Sequence, residues 1–401
     1  MSAWLTILGV GPEGVDGLTA PARALLDTAD VVVGSERVLK DVSLEKAELH
    51  AWSSPMDDTL DQLDGWKGRN VVVFATGDPM HFGVGATLAR RIPLEEMAVV
   101  PTSSAFSLAA ARLKWPLQDV ETLSLHGRPV PALHPFVQPG ARLLVLTAGN
   151  ETVHAVSALL MARGFGKSVL SVLEHMGDTD ERTVTLPADE CEGKEFADFN
   201  TLAIECVAGP DAQVLPRVPG LPDDAFRNDG QLTKRDIRAI TLSALAPSPK
   251  ALLWDVGAGC GSISIEWMRS APGARAIAFE RHEDRIRMIA ENAVALGAPD
   301  LDIVSGDVAD SLGGHPAPSA VFHGGATTND DVFETCWKAL APGGRFVSNA
   351  VTLEGDAALM ARHGKHGGEL VRIDVSHVGP VGSRRVMRPR MSVLQWRAVK
   401  G

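Results

Sequence analysis

The stretch LLWDVGAGCGSISIEWM, residues 252–268, sets Gly257, Ala258, Gly259, Cys260 and Gly261 between an apolar run and a segment with helical spacing. Glycines there permit positive φ and let the backbone approach a ligand with no Cβ in the way. The helix that follows turns free N–H groups and a positive dipole end toward the same crevice, which suits a carboxylate or phosphate. A tight strand-to-helix turn can also look like this without any ligand, so the acidic residues downstream matter. Glu280 ends the next apolar run, where a carboxylate accepts hydrogen bonds from ribose hydroxyls. Asp307, in SGDV after the third run, can pair with an adenine amino group. Ser262 stands where a dinucleotide motif carries its third glycine, and there is no second phosphate-cradling loop. S-adenosylmethionine therefore fits better than a nicotinamide dinucleotide, and titration with each separates the two readings.

Other residues suggest contact with an anionic partner. SRRVMRPR, residues 383–390, carries Arg384, Arg385, Arg388 and Arg390. Guanidinium forks match carboxylates bidentately, although a solvated hairpin turn would look the same. Lys234 and Arg238 are further candidates, for a carboxylate contact or as catalytic groups that orient an acetate that leaves. His323 closes an apolar run, where a cofactor and substrate would meet, and is a candidate catalytic group. The four cysteines show no CxxC spacing and the histidines no ligand spacing, so no metal site is expected.

At 401 residues the chain is long enough for two or three domains. With 45% hydrophobic and 22% charged residues it should build ordinary cores. A net charge of -12 argues against a nucleic-acid partner. No basic leader or run of apolar membrane-spanning length is visible, so a cytoplasmic protein without membrane contact is expected. Residues 1–228 hold 18 Lys+Arg against 31 Asp+Glu, and residues 229–401 hold 20 against 19, so the halves read as different domains. Between them PDAQVLPRVPGLPDDAFRND, with four prolines, can sustain neither helix nor central strand. The expected division is 1–212, a linker at 213–228, and 229–401.

Both halves read as α/β. In the second, strands are expected at 252–256, 275–279, 301–304, 320–323, 345–350, 370–375 and 392–396, the last two as an antiparallel edge hairpin. Helices lie between them at 262–270, 283–296, 330–341 and 354–363. In the first half strands are expected at 4–10, 30–33, 71–74, 98–100, 142–146, 168–173 and 200–207, and helices at 21–27, 85–91, 105–113 and 153–163.

GAGCG, Glu280, GDV and APGG (residues 341–344) resemble the successive motifs of class I S-adenosylmethionine-dependent methyltransferases. QLTKRDIRAITLSAL, residues 231–245, resembles the TKxxxR segment of the cobalamin-pathway methyltransferases that act on carbon 15 of a precorrin and decarboxylate an acetate arm. That resemblance implies a Rossmann-like fold and cofactor contacts from Thr233, the 257–261 loop, Glu280, Asp307 and Val308. In the first half LGVGPEG, FATGDPMHFGVG and VPTSSAF resemble the three ordered motifs of the tetrapyrrole methylases, and SLHGRP with LTAGNET their carbon-5 precorrin branch. Here the resemblance implies a two-lobed fold and a folded S-adenosylmethionine held by Pro12, Gly77, Asp78, Thr102, Ser103, Ser104 and Ala203. Asp78 could instead only shape a turn, and Ser103 and Ser104 only cap a helix. Together the resemblances imply an enzyme with two cofactor sites that methylates precorrin-6B at carbons 5 and 15 and removes the carbon-12 carboxyl, giving precorrin-8X in cobalamin biosynthesis. They also imply self-association through the second half, as a tetramer. The rival reading from another class is a non-catalytic tetrapyrrole carrier or cofactor sensor.

Overall fold

Leu5–Val10 (β1) is buried on both faces: Leu5 and Ile7 join one apolar cluster and Leu8 and Val10 another. A strand covered on both sides needs a continuous apolar run, the pattern of parallel sheets. Val31–Gly34 (β2), Glu48–Ala51 (β3), Val71–Thr76 (β4) and Met97–Val100 (β5) complete a parallel sheet in the order β3-β2-β4-β1-β5. A second sheet holds Glu121–Ser124 (β6), Arg142–Leu146 (β7), Val169–Glu174 (β8), Arg182–Pro187 (β9) and Asn200–Glu205 (β10), ordered β6-β7-β10-β8-β9. There β10 runs antiparallel to both neighbours. These sheets are the two lobes of the first unit. The strands expected from apolar runs are present; β3, β6 and β9 are additional.

The structure is a computed structural model that describes residues 3–325 and 327–401. Its first unit comprises residues up to Arg128 with Pro139–Ala212, and its second Pro129–Gln138 with Gln213–Gly401. The expected division thus differs at one segment. Phe136 lies under the Arg217 guanidinium at 4.9 Å, and the Gln138 amide donates to the Leu215 carbonyl at 2.8 Å. Residues 213–228 are packed as well: Leu215, Leu221 and Phe226 are buried in the second unit's core.

That second unit is a seven-stranded sheet covered by helices on both faces. Leu252–Val256 (β11), Arg275–Glu280 (β12), Asp302–Ser305 (β13), Ala320–His323 (β14) and Arg345–Ala350 (β15) are parallel, in the order β13-β12-β11-β14-β15. Glu369–Ile373 (β16) and Val393–Val399 (β19) extend the edge, with β19 antiparallel between β15 and β16. Between them Ser376–Val381 (β17) and Arg384–Pro389 (β18) form an exposed two-stranded ribbon, where the sequence reading placed carboxylate-binding arginines or, alternatively, a solvated hairpin turn. Helices Arg235–Leu245, Ser262–Ser270 and Glu283–Leu296 cover one face around Trp267, and Asp330–Ala339 and Leu353–His366 the other around Trp254 and Trp396. The last two helices start where side chains predict: Asn329 accepts from Val332 N and Thr352 from Gly355 N.

Candidate functional sites

At the carboxyl end of β11 the chain turns through three left-handed glycines, Gly257 (φ 77°), Gly259 (φ 63°) and Gly261 (φ 81°). Space demands glycine too, because a Cβ on Gly257 would lie 2.8 Å from Gly325 Cα. The turn is fixed from outside. Gly257 N and Ala258 N both donate to the Phe279 carbonyl at 3.0 Å, and Gly259 N donates to Glu280 Oε2 at 2.9 Å. The other Glu280 oxygen accepts from Arg281 N and His282 N, each at 3.0 Å. The carboxylate is therefore held by three backbone donors at the crevice mouth, while the Gly259 N–H is already spent.

Behind the loop, fully buried Asp255 accepts from Ser264 N (3.1 Å) and Ser264 Oγ (2.6 Å). Burial pushes its pKa up to about 6, with the Glu280 charge adding to the rise.

These elements wall a cleft of about 1150 Å³, somewhat above the roughly 300–1000 Å³ that holds one small ligand. Thr233, Lys234, Gly257, Ala258 and Gly259 line it, with Glu280, Asp307, Val308 and Arg390. Asp307 also caps the short helix Val308–Ser311, accepting from Ala309 N at 3.0 Å. Thr233 is not a helix cap, since the N-cap of Arg235–Leu245 is Lys234. The close approach of residues 257 and 325 and the oriented Glu280 carboxylate fit an adenosyl ligand.

Other candidates do not reach the cleft. Cys260 and Gly261 do not line it; the Cys260 thiol is buried and its pKa pushed up to about 11. Arg238 is fully buried with its donors committed: Nε to Glu266 Oε1 (2.6 Å), Nη1 to Asp223 Oδ1 (3.1 Å) and the Thr233 carbonyl, Nη2 to the Leu221 carbonyl. It is a brace, and a substrate carboxylate has no access to it. His323 is likewise fully buried and, among the described residues, has no hydrogen-bond partner at either ring nitrogen. Burial depresses its pKa to about 3, so it is neutral and out of contact with the cleft. Of the four ribbon arginines, Arg390 alone lines the cleft; Arg384, Arg385 and Arg388 project on the exposed ribbon, Arg388 donating to the Pro380 carbonyl.

The sequence reading missed Arg235 and Asn349, which line the same cleft. Asn349 Nδ2 donates to Thr241 Oγ1 at 3.1 Å and its Oδ1 accepts from the buried Gln395 amide at 2.8 Å. A polar residue at the end of the buried strand β15 was the available signal.

In the first unit the three motif loops leave adjacent strands β4, β1 and β5 at their carboxyl ends. They converge tightly: a Cβ on Gly9 would lie 2.7 Å from the Gly77 carbonyl oxygen and 2.8 Å from Thr102 N. Gly77 N donates to the Val10 carbonyl at 2.9 Å, with Gly77 at φ 72°. Pro12 abuts Gly177, after β8 in the other lobe, where a Cβ would overlap the proline ring. Gly177 N also donates to Glu181, which pairs with Arg112 and has its pKa lowered to about 2 by that guanidinium. Pro12, Gly77, Asp78 and the 102–104 segment are thus brought together. Asp78 does shape a turn, accepting from Met80 N at 2.8 Å, and Ser104 does cap Ala105–Leu113, accepting from Ser107 N at 3.1 Å. Ser103 is exposed beside it. Ala203 is fully buried, paired in β10 with both β7 and β8 and packed with Phe106. Its side chain has no access to a ligand.

Among the described residues no helix is long and apolar enough to cross a membrane, and no cluster of potential metal ligands occurs.

Residues 5–192 match the Tetrapyrrole (Corrin/Porphyrin) Methylases family, and residues 224–400 the Precorrin methyltransferase domain family. Over 402 residues the chain is 44% identical to a precorrin-6Y C(5,15)-methyltransferase [decarboxylating] of Sinorhizobium sp, covering 100% of this chain and 97% of that protein. Two shorter Salmonella typhimurium proteins are also similar. A cobalt-precorrin-7 C(5)-methyltransferase is 26% identical over 46% of this chain and 90% of its own length. A cobalt-precorrin-6B C(15)-methyltransferase (decarboxylating) is 30% identical over 40% of this chain and 85% of its own.

Proposed function

Since the chain belongs to the precorrin-6Y C(5,15)-methyltransferase (decarboxylating) family, we propose that its two units divide one job, each with its own S-adenosylmethionine site. The protein is a methyltransferase of cobalamin biosynthesis: it methylates precorrin-6B at carbons 5 and 15 and decarboxylates the carbon-12 acetate to give precorrin-8X. Residues 1–212 without the 129–138 segment are assigned to carbon 5, and residues 229–401, with 129–138 and 213–228 packed against them, to carbon 15 and decarboxylation. The family match of each half supports the division, and the observation that carries it is the pair of separate left-handed glycine turns at strand carboxyl ends, at Gly77 and at Gly257.

When bound, S-adenosylmethionine supplies a methyl group made electrophilic by its sulfonium. In the second unit Glu280 holds the ribose, Asp307 the adenine amino group, and the backbone at 257–259 the rest of the adenosyl moiety. Thr233 and Val308 close the sides. In the first unit Pro12, Gly77, Asp78 and Thr102–Ser104 take that part. No side chain need move a proton at the displacement, because the reduced macrocycle's enamine-like meso carbons are already nucleophilic. The protein's contribution is to hold the reacting carbon in line, and orientation alone supplies effective molarities of ~10⁵–10⁸ M. As carbon dioxide leaves, the conjugated macrocycle takes up the electron pair of the broken carbon–carbon bond, and a proton then completes the carbon-12 methyl group. Lys234, Arg235 and Arg390 at the cleft edge meet its acidic arms, and no carboxylate pairs with them within the described residues.

Expression of residues 1–212 and 213–401 as separate chains, the second together with the 129–138 segment, tests the division. The first should alkylate carbon 5 alone and the second carbon 15 alone; both activities in one piece would refute it. The exposed ribbon, with Val378, Val381, Val386 and Met387 in solvent, supports self-association of the second unit as a tetramer. Light scattering of a Val386→Asp, Met387→Asp variant should then report a smaller species, and a monomeric wild type would retire the assignment.

A further inference from the structure

The loop that follows β4 in the first unit holds an aromatic residue in a backbone conformation that does not suit it. Phe82 has φ 59°, in the left-handed region where a bulky side chain is an outlier. The neighbouring chain enforces this: Cβ atoms on Gly83 and Gly85 would lie 2.6 and 2.8 Å from the Pro79 carbonyl oxygen, so the turn cannot relax. Core packing does not require the ring, which is 41% exposed, and Met80 beside it is 48% exposed. Strain kept at an exposed aromatic points to a use outside the fold.

The surroundings say what that use is. His81 turns inward, its ring 4.5 Å from the buried Phe106 ring and 5.4 Å from that of Phe82, with Nε2 3.3 Å from Thr122 Oγ1 on β6. Phe82 thus stands on an anchored aromatic base. From the other lobe Arg128 places its guanidinium 5.5 Å from the Phe82 ring centroid, exposed and with no carboxylate partner among the described residues. His81 and Phe82 lie within four residues of Asp78 along the chain, beside the loops assigned to the cofactor. An exposed aromatic ring with an unpaired guanidinium over it is complementary to a flat conjugated ring with peripheral carboxylates.

We propose that Phe82 and Arg128 form the macrocycle-recognition element of the first unit: Phe82 stacks on a face of the ring, and Arg128 pairs with one of its carboxylate arms. The inference rests on the reading that this unit methylates carbon 5 of a tetrapyrrole.

The test uses the full chain and the variants Phe82→Gly, Phe82→Trp, Arg128→Gln and Arg128→Lys, with carbon-15 methylation as an internal control. Glycine relieves the strained φ, so Phe82→Gly should keep or raise Tm while raising the KM for macrocycle at carbon 5 about tenfold or more. Phe82→Trp should restore the KM. Arg128→Gln should raise that KM about tenfold and flatten its dependence on salt, and Arg128→Lys should recover part of the loss. Carbon-15 turnover and cofactor affinity should stay at wild-type values throughout. Unchanged KM at carbon 5 in both Phe82→Gly and Arg128→Gln overturns the proposal. A wild-type chain that puts no methyl on carbon 5 refutes the functional reading instead. An absorbance titration of the macrocycle then decides the platform: weaker affinity in both variants supports it and unchanged affinity overturns it.

Discussion

Arg238→Met removes the guanidinium on which the second unit's cofactor wall is built. Arg238 and Glu266 are both buried, at 0% and 2% side-chain exposure. In the variant Glu266 keeps its bonds from Gly220 N (2.6 Å) and Leu221 N (3.0 Å) but loses its counter-charge. The Thr233 and Leu221 carbonyls lose their donor, and Phe226 loses the cation 4.8 Å from its ring centroid. Breaking a buried ion pair from one side costs about 3–5 kcal/mol, a large part of the roughly 5–15 kcal/mol that stabilises a domain. Urea unfolding followed by the fluorescence of the buried Trp254 and Trp267 should therefore show the second unit's midpoint falling sharply. The double variant Arg238→Met, Glu266→Leu should recover part of the loss, because it leaves no charge unpaired. With Thr233 untethered, the KM for S-adenosylmethionine in carbon-15 methylation should rise while that for carbon 5 stays fixed. A loss below about 1 kcal/mol, or equal KM increases for both activities, would refute the assignment of Arg238 as a brace.

Three further outcomes follow from the geometry. Gly257→Ala meets strain of roughly 1–2 kcal/mol from its φ and a clash with Gly325 backbone, so carbon-15 methylation should fall about tenfold or more while carbon-5 methylation is unaffected; wild-type carbon-15 rates would contradict this. His323→Leu removes a buried imidazole with no hydrogen-bond partner among the described residues and should leave carbon-15 turnover unchanged, with Tm unchanged or higher; a collapse of kcat in a folded variant would return His323 to the chemistry. Asp255 ionises near 6 in the folded state against an ordinary 3.8, so the unfolded chain releases its proton first and wild-type stability falls as pH rises through that interval. Asp255→Asn cannot ionise, and the Tm difference should move in its favour between pH 4 and pH 7; a flat difference would show that Asp255 does not titrate there.

The buried parallel strands were legible because burial on both faces forces continuous apolar runs, as in β1, β4 and β11. Strands β3 and β9 were not, since they lie at sheet edges with mostly exposed side chains. The ribbon β17–β18 has no buried face in this chain and so no period to read. Motif loops were readable because glycine and acidic residues at strand ends have few other uses, and the structure gathers them at the carboxyl ends of strands in each unit. Charge proved ambiguous. Arg238 and Arg390 look alike in a sequence, yet one is sunk beneath the cleft by Glu266 and the other lies on its rim. His323 stood at a strand end as a catalytic group might, but its strand position turns it into the core. The 129–138 segment could not be placed from local pattern, because its partners Leu215, Arg217 and Gly297 are distant in sequence.

Equilibrium binding of S-adenosylhomocysteine to the purified full chain, with stoichiometry fitted by calorimetry, addresses the division of labour most directly. Two equivalents per chain are expected, with one of the two bound about tenfold or more weakly in Gly257→Ala. A single equivalent in the wild-type chain would contradict the account.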